Sequence, residues 1–260
     1  MNATDTTLRV GDLELEADWA RWSWGELAAF WAVVVIGQEL LFFVLEAFDR
    51  ATSKRIPYSG KSLEVLGWKD WAFVYFNRLS VPLMTYHMFW YAFSSGDITW
   101  KVEDIGLLNT LGAVVAYYIV YDLFYVPFHA FLHVRAVYPW VHKHHHRQAA
   151  PSRGNTDASN THPIEFVLGE YLHLVAVAVV AQIFTPHVIS IPIFVLVGGV
   201  MASLNHTRMD LEIPHFFDTK AHDLHHCIPT CNYGQYIMLF DKAYGTFRAS
   251  HKPAEEKKVN

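Results

Sequence analysis

The sequence predicts an all-α fold: an integral membrane helical bundle of three spans plus a helical hairpin, with a helical, histidine-rich cap on its cytosolic face. Three observations predict it. Five apolar runs approach the ~20 residues that a bilayer span needs. Only 17% of the 260 residues are charged, while 52% are hydrophobic and 15% aromatic; a soluble domain carries about a quarter charged residues. Finally, the chain has 16 histidines, and all but His87 lie after residue 128. The domain expectation is a single unit over 1–260, with N-terminal spans over 1–128, a histidine-box region over 129–250 and a tail over 251–260.

The first run, about Leu27 to Phe48, is interrupted by Gln38, Glu39 and Glu46. The second, about Trp71 to Phe93, contains Asn77, Arg78 and His87, and the third, about Ile105 to Phe128, holds Asp122 near its end. Polar residues within a span face the bundle or a cavity. Runs four (about Phe166 to Phe184) and five (about Val188 to Leu204) are separated by Thr185-Pro186, a tight break that predicts the hairpin. The loop after the first run carries Arg50, Lys54, Arg55, Lys61 and Lys69, against Arg9 and Arg21 before it. The positive-inside rule puts that loop in the cytosol. Two crossings then return residues 129–164 to the cytosol, and the hairpin returns 205–260 to the same side.

The acidic first 20 residues, with Asp5, Asp12, Glu14, Glu16 and Asp18, do not resemble the basic start of a cleavable signal peptide. Asn2-Ala3-Thr4 fits a glycosylation sequon. A net charge of −5 with scattered basic residues gives no nucleic-acid footprint. Cys227 and Cys231 match no metal or redox spacing and predict two reduced packing thiols. The end, Lys257-Lys258-Val259-Asn260, looks like a dilysine retrieval signal of endoplasmic reticulum membrane proteins.

Three boxes carry the chemistry: His129-x-x-x-His133, His142-x-x-His145-His146 and His222-x-x-His225-His226. On a helix, positions i, i+3 and i+4 share a face, so each box is expected to present its imidazoles to one point. Eight imidazoles exceed the about four to six ligands of one metal and suit two. His206, at the same membrane surface, is expected as a ninth ligand. His144 occupies the free position of its box and is expected to point away. His162 is left open between ligand and outer partner. Asp122, Glu165, Asp210, Asp218 and Asp223 lie close enough in sequence to hydrogen-bond ligating imidazoles. Phe124, Tyr125, Phe128, Phe166 and Tyr171 are candidate pocket walls.

Together these boxes resemble the fatty acid hydroxylase / sterol desaturase superfamily, over about Asp122 to Arg248. Thr161-His162-Pro163-Ile164-Glu165 resembles the His-Pro-x-Glu segment of sterol-oxidising members, and Asn232-Tyr233 with Asp241-Lys242-x-x-Gly245-Thr246-x-Arg248 resembles their ending. The resemblance implies a membrane-bound di-iron centre that uses dioxygen, with electrons from NAD(P)H through a cytochrome b5 type donor. It implies hydroxylation, desaturation or epoxidation of a sterol or sterol-precursor lipid, in the endoplasmic reticulum membrane. Zinc can occupy such a site in purified protein. The family's ligands map onto His129, His133, His142, His145, His146, His206, His222, His225 and His226. One departure stands out: some members have a histidine where this chain has Asp210, so Asp210 is either a ligand or an outer partner. A fatty acyl or sphingolipid hydroxylase is the nearer alternative. A zinc-dependent membrane hydrolase, with its three protein ligands and open position, is the more distant one, and a scaffold without activity is disfavoured by the intact boxes.

Overall fold

The computed structural model describes residues 22–57, 60–214 and 216–249, together with the backbone of a short hairpin, β1 (Thr7–Val10) and β2 (Leu13–Glu16), paired antiparallel from Thr7↔Glu16 to Val10↔Leu13. The sequon at Asn2, His215, His251 and the dilysine-like end lie outside the described residues. Five long helices dominate: α1 (Trp24–Ala51), α2 (Trp68–Ser94), α3 (Ala113–Leu132), α5 (Pro163–Ala181) and α6 (Ser190–Asn205). The short α4 (Asn155–Ala158) lies between α3 and α5. After α6 come a two-residue ladder, β3 (Glu212–Ile213) with β4 (Phe217–Asp218), then α7 (Thr219–Cys227) and α8 (Leu239–Tyr244).

Local sequence explains the helix starts. Ser23 and Glu26 form a capping box at α1, Ser23 N–H donating to Glu26 Oε2 at 2.7 Å. Asp70 accepts the Gly67 N–H at 2.8 Å and so caps α2. A π-helical turn, Leu108–Gly112, leads into α3. Pro163 stands in the first turn of α5, where its missing N–H costs nothing.

Among the described residues, the helices long and apolar enough to cross a membrane are α1, the stretch Leu108–Leu132 and α5. The set differs from the expected spans. The second run is helical as expected, but α2 carries Lys69, Asp70, Asn77 and Arg78, and its first half belongs to the polar cap. The 16-residue α6 is about 24 Å long at 1.5 Å per residue, short of the hydrocarbon thickness.

Several polar residues inside these runs face protein. Gln38 donates to the Arg78 carbonyl at 3.1 Å, and Glu39 pairs with the Arg78 guanidinium at 3.0 Å, so these two interruptions in α1 are its seam with α2, whereas Glu46 is exposed and pairs with Arg50 of its own helix at 3.2 Å. Asn77 donates to the Ser159 and Thr161 carbonyls at 2.8 and 3.0 Å, tying α2 to the segment before α5. The core lies among α3, α5 and α6 and is rich in tyrosine. Tyr118 donates to the Phe194 carbonyl at 2.8 Å and Tyr121 to the Gly169 carbonyl at 3.3 Å, so buried phenols keep partners. The basic loop after α1 packs on the cap: Ile56 N–H donates to the Arg208 carbonyl at 2.7 Å, and Ala149 N–H to the Lys61 carbonyl at 3.1 Å.

Candidate metal centre

The nine expected ligands converge at the cap end of the bundle and divide into two groups. His129, His133, His142, His146 and His225 form one; His145, His206, His222 and His226 form the other. In each group the donor atoms lie within 4.8 Å of one another. His129 projects from the last turn of α3 and His133 caps that helix. His206 caps α6, and His222, His225 and His226 lie along α7.

Two expectations need correction. The first His-x-x-His-His box is not on an α-helix: residues 142–147 form a turn that ends in a 3-10 segment, His145–Arg147. Nor does each box aim at one point. His142 and His146 enter the first group and His145 the second; His222 and His226 enter the second and His225 the first. On α7 the reason is angular. With 3.6 residues per turn, i+4 sits about 40° to one side of i, and i+3 about 60° to the other. The helix therefore straddles two points.

The donor set fits metal. His129 Nδ1 faces the Tyr233 carbonyl at 2.8 Å, His206 Nδ1 the Ala202 carbonyl at 2.8 Å, His225 Nδ1 the Cys231 carbonyl at 2.7 Å, and His226 Nδ1 the Gln148 carbonyl at 2.8 Å. Carbonyls only accept, so in these four imidazoles Nδ1 carries the proton and Nε2 offers a lone pair. His222 Nε2 faces two such lone pairs, His206 and His226 Nε2, at 3.1 Å each, with at most one proton to give. His142, whose Nδ1 proton goes to Glu165, sets its Nε2 lone pair 3.0 Å from that of His129, and 3.0 Å from His146 Nε2. Such crowding is repulsive unless a cation lies among the nitrogens. A metal about 2.0–2.1 Å from each nitrogen separates neighbouring donors by about 3.0 Å at right angles and about 3.4 Å at the tetrahedral angle.

Burial disfavours the protonated imidazoles throughout. It pushes His133 and His142 down to about 3, and it is the main cause of the lowering at His145, His146, His206, His222, His225 and His226. Neutral imidazoles are the ligating form.

The carboxylates divide. Glu165, in the first turn of α5, accepts from His142 Nδ1 at 2.8 Å. Asp122 instead accepts backbone N–H groups of Gln235, Tyr236 and Ile237, the last at 2.5 Å. It thereby pins the loop whose Tyr233 carbonyl orients His129. Asp223 pairs with Arg208, which also donates to the Ile56 and Pro57 carbonyls, and lies outside the two histidine groups. Asp218 caps α7 through the Lys220 N–H. Asp210 lies outside both groups, bonded to Lys220 at 3.0 Å and Lys54 at 3.3 Å. His162 also lies outside them, capping α5 and resting edge-on against Phe73. His144 bonds to Asn160 and Asp70 at 2.8 and 3.0 Å.

A cavity of about 380 Å³ runs from α1 and α2 between α3, α5 and α6 to His129, His145, His206 and His222. Of the expected wall residues, Tyr125 and Phe166 line it. Tyr171 instead bonds to His87 at 2.6 Å, and Phe124 is exposed on the outer surface. Sequence reasoning missed Glu170, His173 and Tyr236, which line the same cavity. An acidic residue in the middle of an apolar run was the available signal for Glu170; nothing local singles out Tyr236.

Comparison with characterised proteins returns sterol-oxidising enzymes. The chain is 29% identical over 149 residues to human lathosterol oxidase, covering 55% of this chain and 47% of that protein. It is 25% identical over 203 residues to rat methylsterol monooxygenase 1, covering 74% and 66%. It is 23% identical over 158 residues to the tobacco Delta(7)-sterol-C5(6)-desaturase, covering 60% and 56%. The chain thus spans about half to two thirds of the length of these relatives. No solved structure matches it. The fatty acid hydroxylase family model matches residues 114–246, which hold all nine converging histidines, and the chain belongs to that family.

Proposed function

We propose that this protein is a membrane-bound di-iron oxygenase that uses dioxygen and reductant to hydroxylate, desaturate or epoxidise a sterol or sterol-precursor lipid. One observation carries the reading: an apolar cavity walled by membrane helices ends at two groups of buried imidazoles, five of them with their tautomer fixed. The sterol-acting relatives support the substrate class. Bound at the nine histidines, two iron ions would supply the oxygen-activating redox chemistry that an unactivated carbon requires, fed from NAD(P)H by a cytochrome b5 type donor.

The chain's own residues do the positioning. Glu165 and four backbone carbonyls hold Nδ1–H and aim Nε2 inward. Tyr125, Phe166 and Val195 offer apolar wall that excludes water and guides a lipid carbon toward His129 and His145. Nine imidazoles argue against a zinc hydrolase, whose metal keeps an open position beside three protein ligands. The reading includes an endoplasmic reticulum membrane location with the boxes in the cytosol. It is supported by the basic loop that packs on the cap, since Lys and Arg favour the cytosolic side.

The deciding experiment measures metal in the purified protein and compares host lipids with and without its expression by mass spectrometry. About two irons per chain, with a lipid that has gained one oxygen or lost two hydrogens, is the expected result. Stoichiometric zinc from iron-replete cells, with no oxidised lipid, would overturn it.

A further inference from the structure

We propose that Glu170 and Tyr236 form a subsite for the hydroxyl end of the lipid, set deeper in the membrane than the metals. This rests on the lipid-oxygenase reading above. Both residues line the cavity. His173 Nδ1 lies 2.9 Å from the Glu170 backbone carbonyl, which can only accept, so Nδ1 carries the proton. His173 Nε2 is then an acceptor, and the Tyr236 hydroxyl 2.9 Å away must donate to it. The Tyr236 oxygen keeps a lone pair for another donor. The Glu170 carboxylate accepts no hydrogen bond from any described residue; it stands 4.0 Å from His173 Nδ1, with its side chain 25% exposed in a cavity-lining position. A carboxyl without a partner inside a membrane helix is costly and marks a functional position.

The Tyr236 oxygen accepts, and the Glu170 carboxyl accepts whether or not it holds a proton, so the subsite selects a ligand that donates, such as an alcohol, over a hydrocarbon. Its depth follows from the helices. Glu170 is five residues and His173 eight residues beyond Glu165 on α5, roughly 8 and 12 Å at 1.5 Å per residue. Tyr121, whose ring lies 4.9 Å from that of Tyr236, is eight residues before His129 on α3, again roughly 12 Å. A lipid anchored there brings to the metals a carbon well removed from its hydroxyl, not the neighbouring one.

The test is equilibrium binding to the metal-loaded, full-length protein in detergent micelles, followed by native mass spectrometry. Two probe pairs are used: 5α-cholestan-3β-ol with 5α-cholestane, and 1-octadecanol with octadecane. Wild-type protein is expected to prefer the alcohol of the pair it binds by about 10-fold. Glu170→Leu and Tyr236→Phe, which keep apolar volume, should each cut that preference to about 2-fold while binding the hydrocarbon as before. A merely structural role would weaken both members of a pair alike and overturns the proposal. So does an alcohol preference that survives both substitutions, binding of neither pair, or a product modified next to its hydroxyl-bearing carbon. If only the octadecanol pair binds and shows the expected losses, the subsite stands and the sterol assignment falls.

Discussion

The two His-x-x-His-His boxes share a spacing but not a backbone. Residues 222–226 lie on α7, whose helix presents i, i+3 and i+4 by geometry alone. Residues 142–146 lie in a turn held by other means: Arg147, Asn160 and His144 all reach the buried Asp70 carboxylate of α2. Despite this difference, each box makes the same division, sending i and i+4 to one group and i+3 to the other. What recurs is the placement of donor atoms, and two unrelated local structures achieve it.

That division can be broken most directly. His145→Ala leaves the second group three imidazoles, and the double change His142→Ala with His146→Ala leaves the first group three. Each should lower bound metal from about two to about one per chain and reduce lipid oxidation at least about 100-fold, beyond the 10–100-fold typical of an outer partner. Elemental analysis of combinations checks the crossing. His145→Ala should add almost no further metal loss to His222→Ala with His226→Ala, because both act on the second group, but should add fully to the His142/His146 pair.

Acid should act on both groups together. Folded imidazoles such as His133 and His142, near 3, sit below the ordinary value of about 6.5. Above about 6.5 neither state binds the proton, and the neutral fold keeps its full stability. Below it the unfolded chain takes protons that the fold refuses, so stability falls progressively from about 6.5 toward 3. Thermal melts of the metal-free protein across this range should therefore drop steadily with acidification; a flat profile would contradict the burial of these rings.

The supports of the boxes differ in kind, which a third change sharpens. Asp223→Ala takes the buried carboxylate away from the Arg208 guanidinium, which lies beneath the loop after α1. Breaking a buried pair costs about 3–5 kcal/mol, or a melting temperature lower by roughly 10 °C for a chain of this size. The smallest effect is expected at Asp210. Asp210→Asn weakens ion pairs to Lys54 and Lys220, which are well exposed, and should change stability by less than about 1 kcal/mol. Metal content should stay at the wild-type value; a loss of metal would restore Asp210 to the centre.

The all-α bundle and the nine converging imidazoles are legible in the sequence because each depends on short-range pattern: apolar runs of fixed length, and histidines at fixed spacing. The roles of the carboxylates are not, because they depend on tertiary neighbours. Asp122 and Asp210 each precede a box by no more than about a dozen residues, yet one gathers three amides across the bundle and the other meets lysines at the surface. The turn at 142–147 is not distinguishable from helix in the sequence, because the box spacing is common to both. Its true support, Asp70, lies more than 70 residues upstream. Glu170 and Tyr236 meet in one cavity from α5 and the loop before α8, a pairing that no local window contains.

Of the five contacts that fix a tautomer among the nine converging imidazoles, four end on main-chain carbonyls, those of Gln148, Ala202, Cys231 and Tyr233, and one on the Glu165 side chain. Every amino acid brings the same carbonyl. As far as these bonds are concerned, positions 148, 202, 231 and 233 are free to drift over generations while the centre keeps its proton arrangement. Position 165 has no such latitude, and it is there that inheritance must copy the letter as well as the fold.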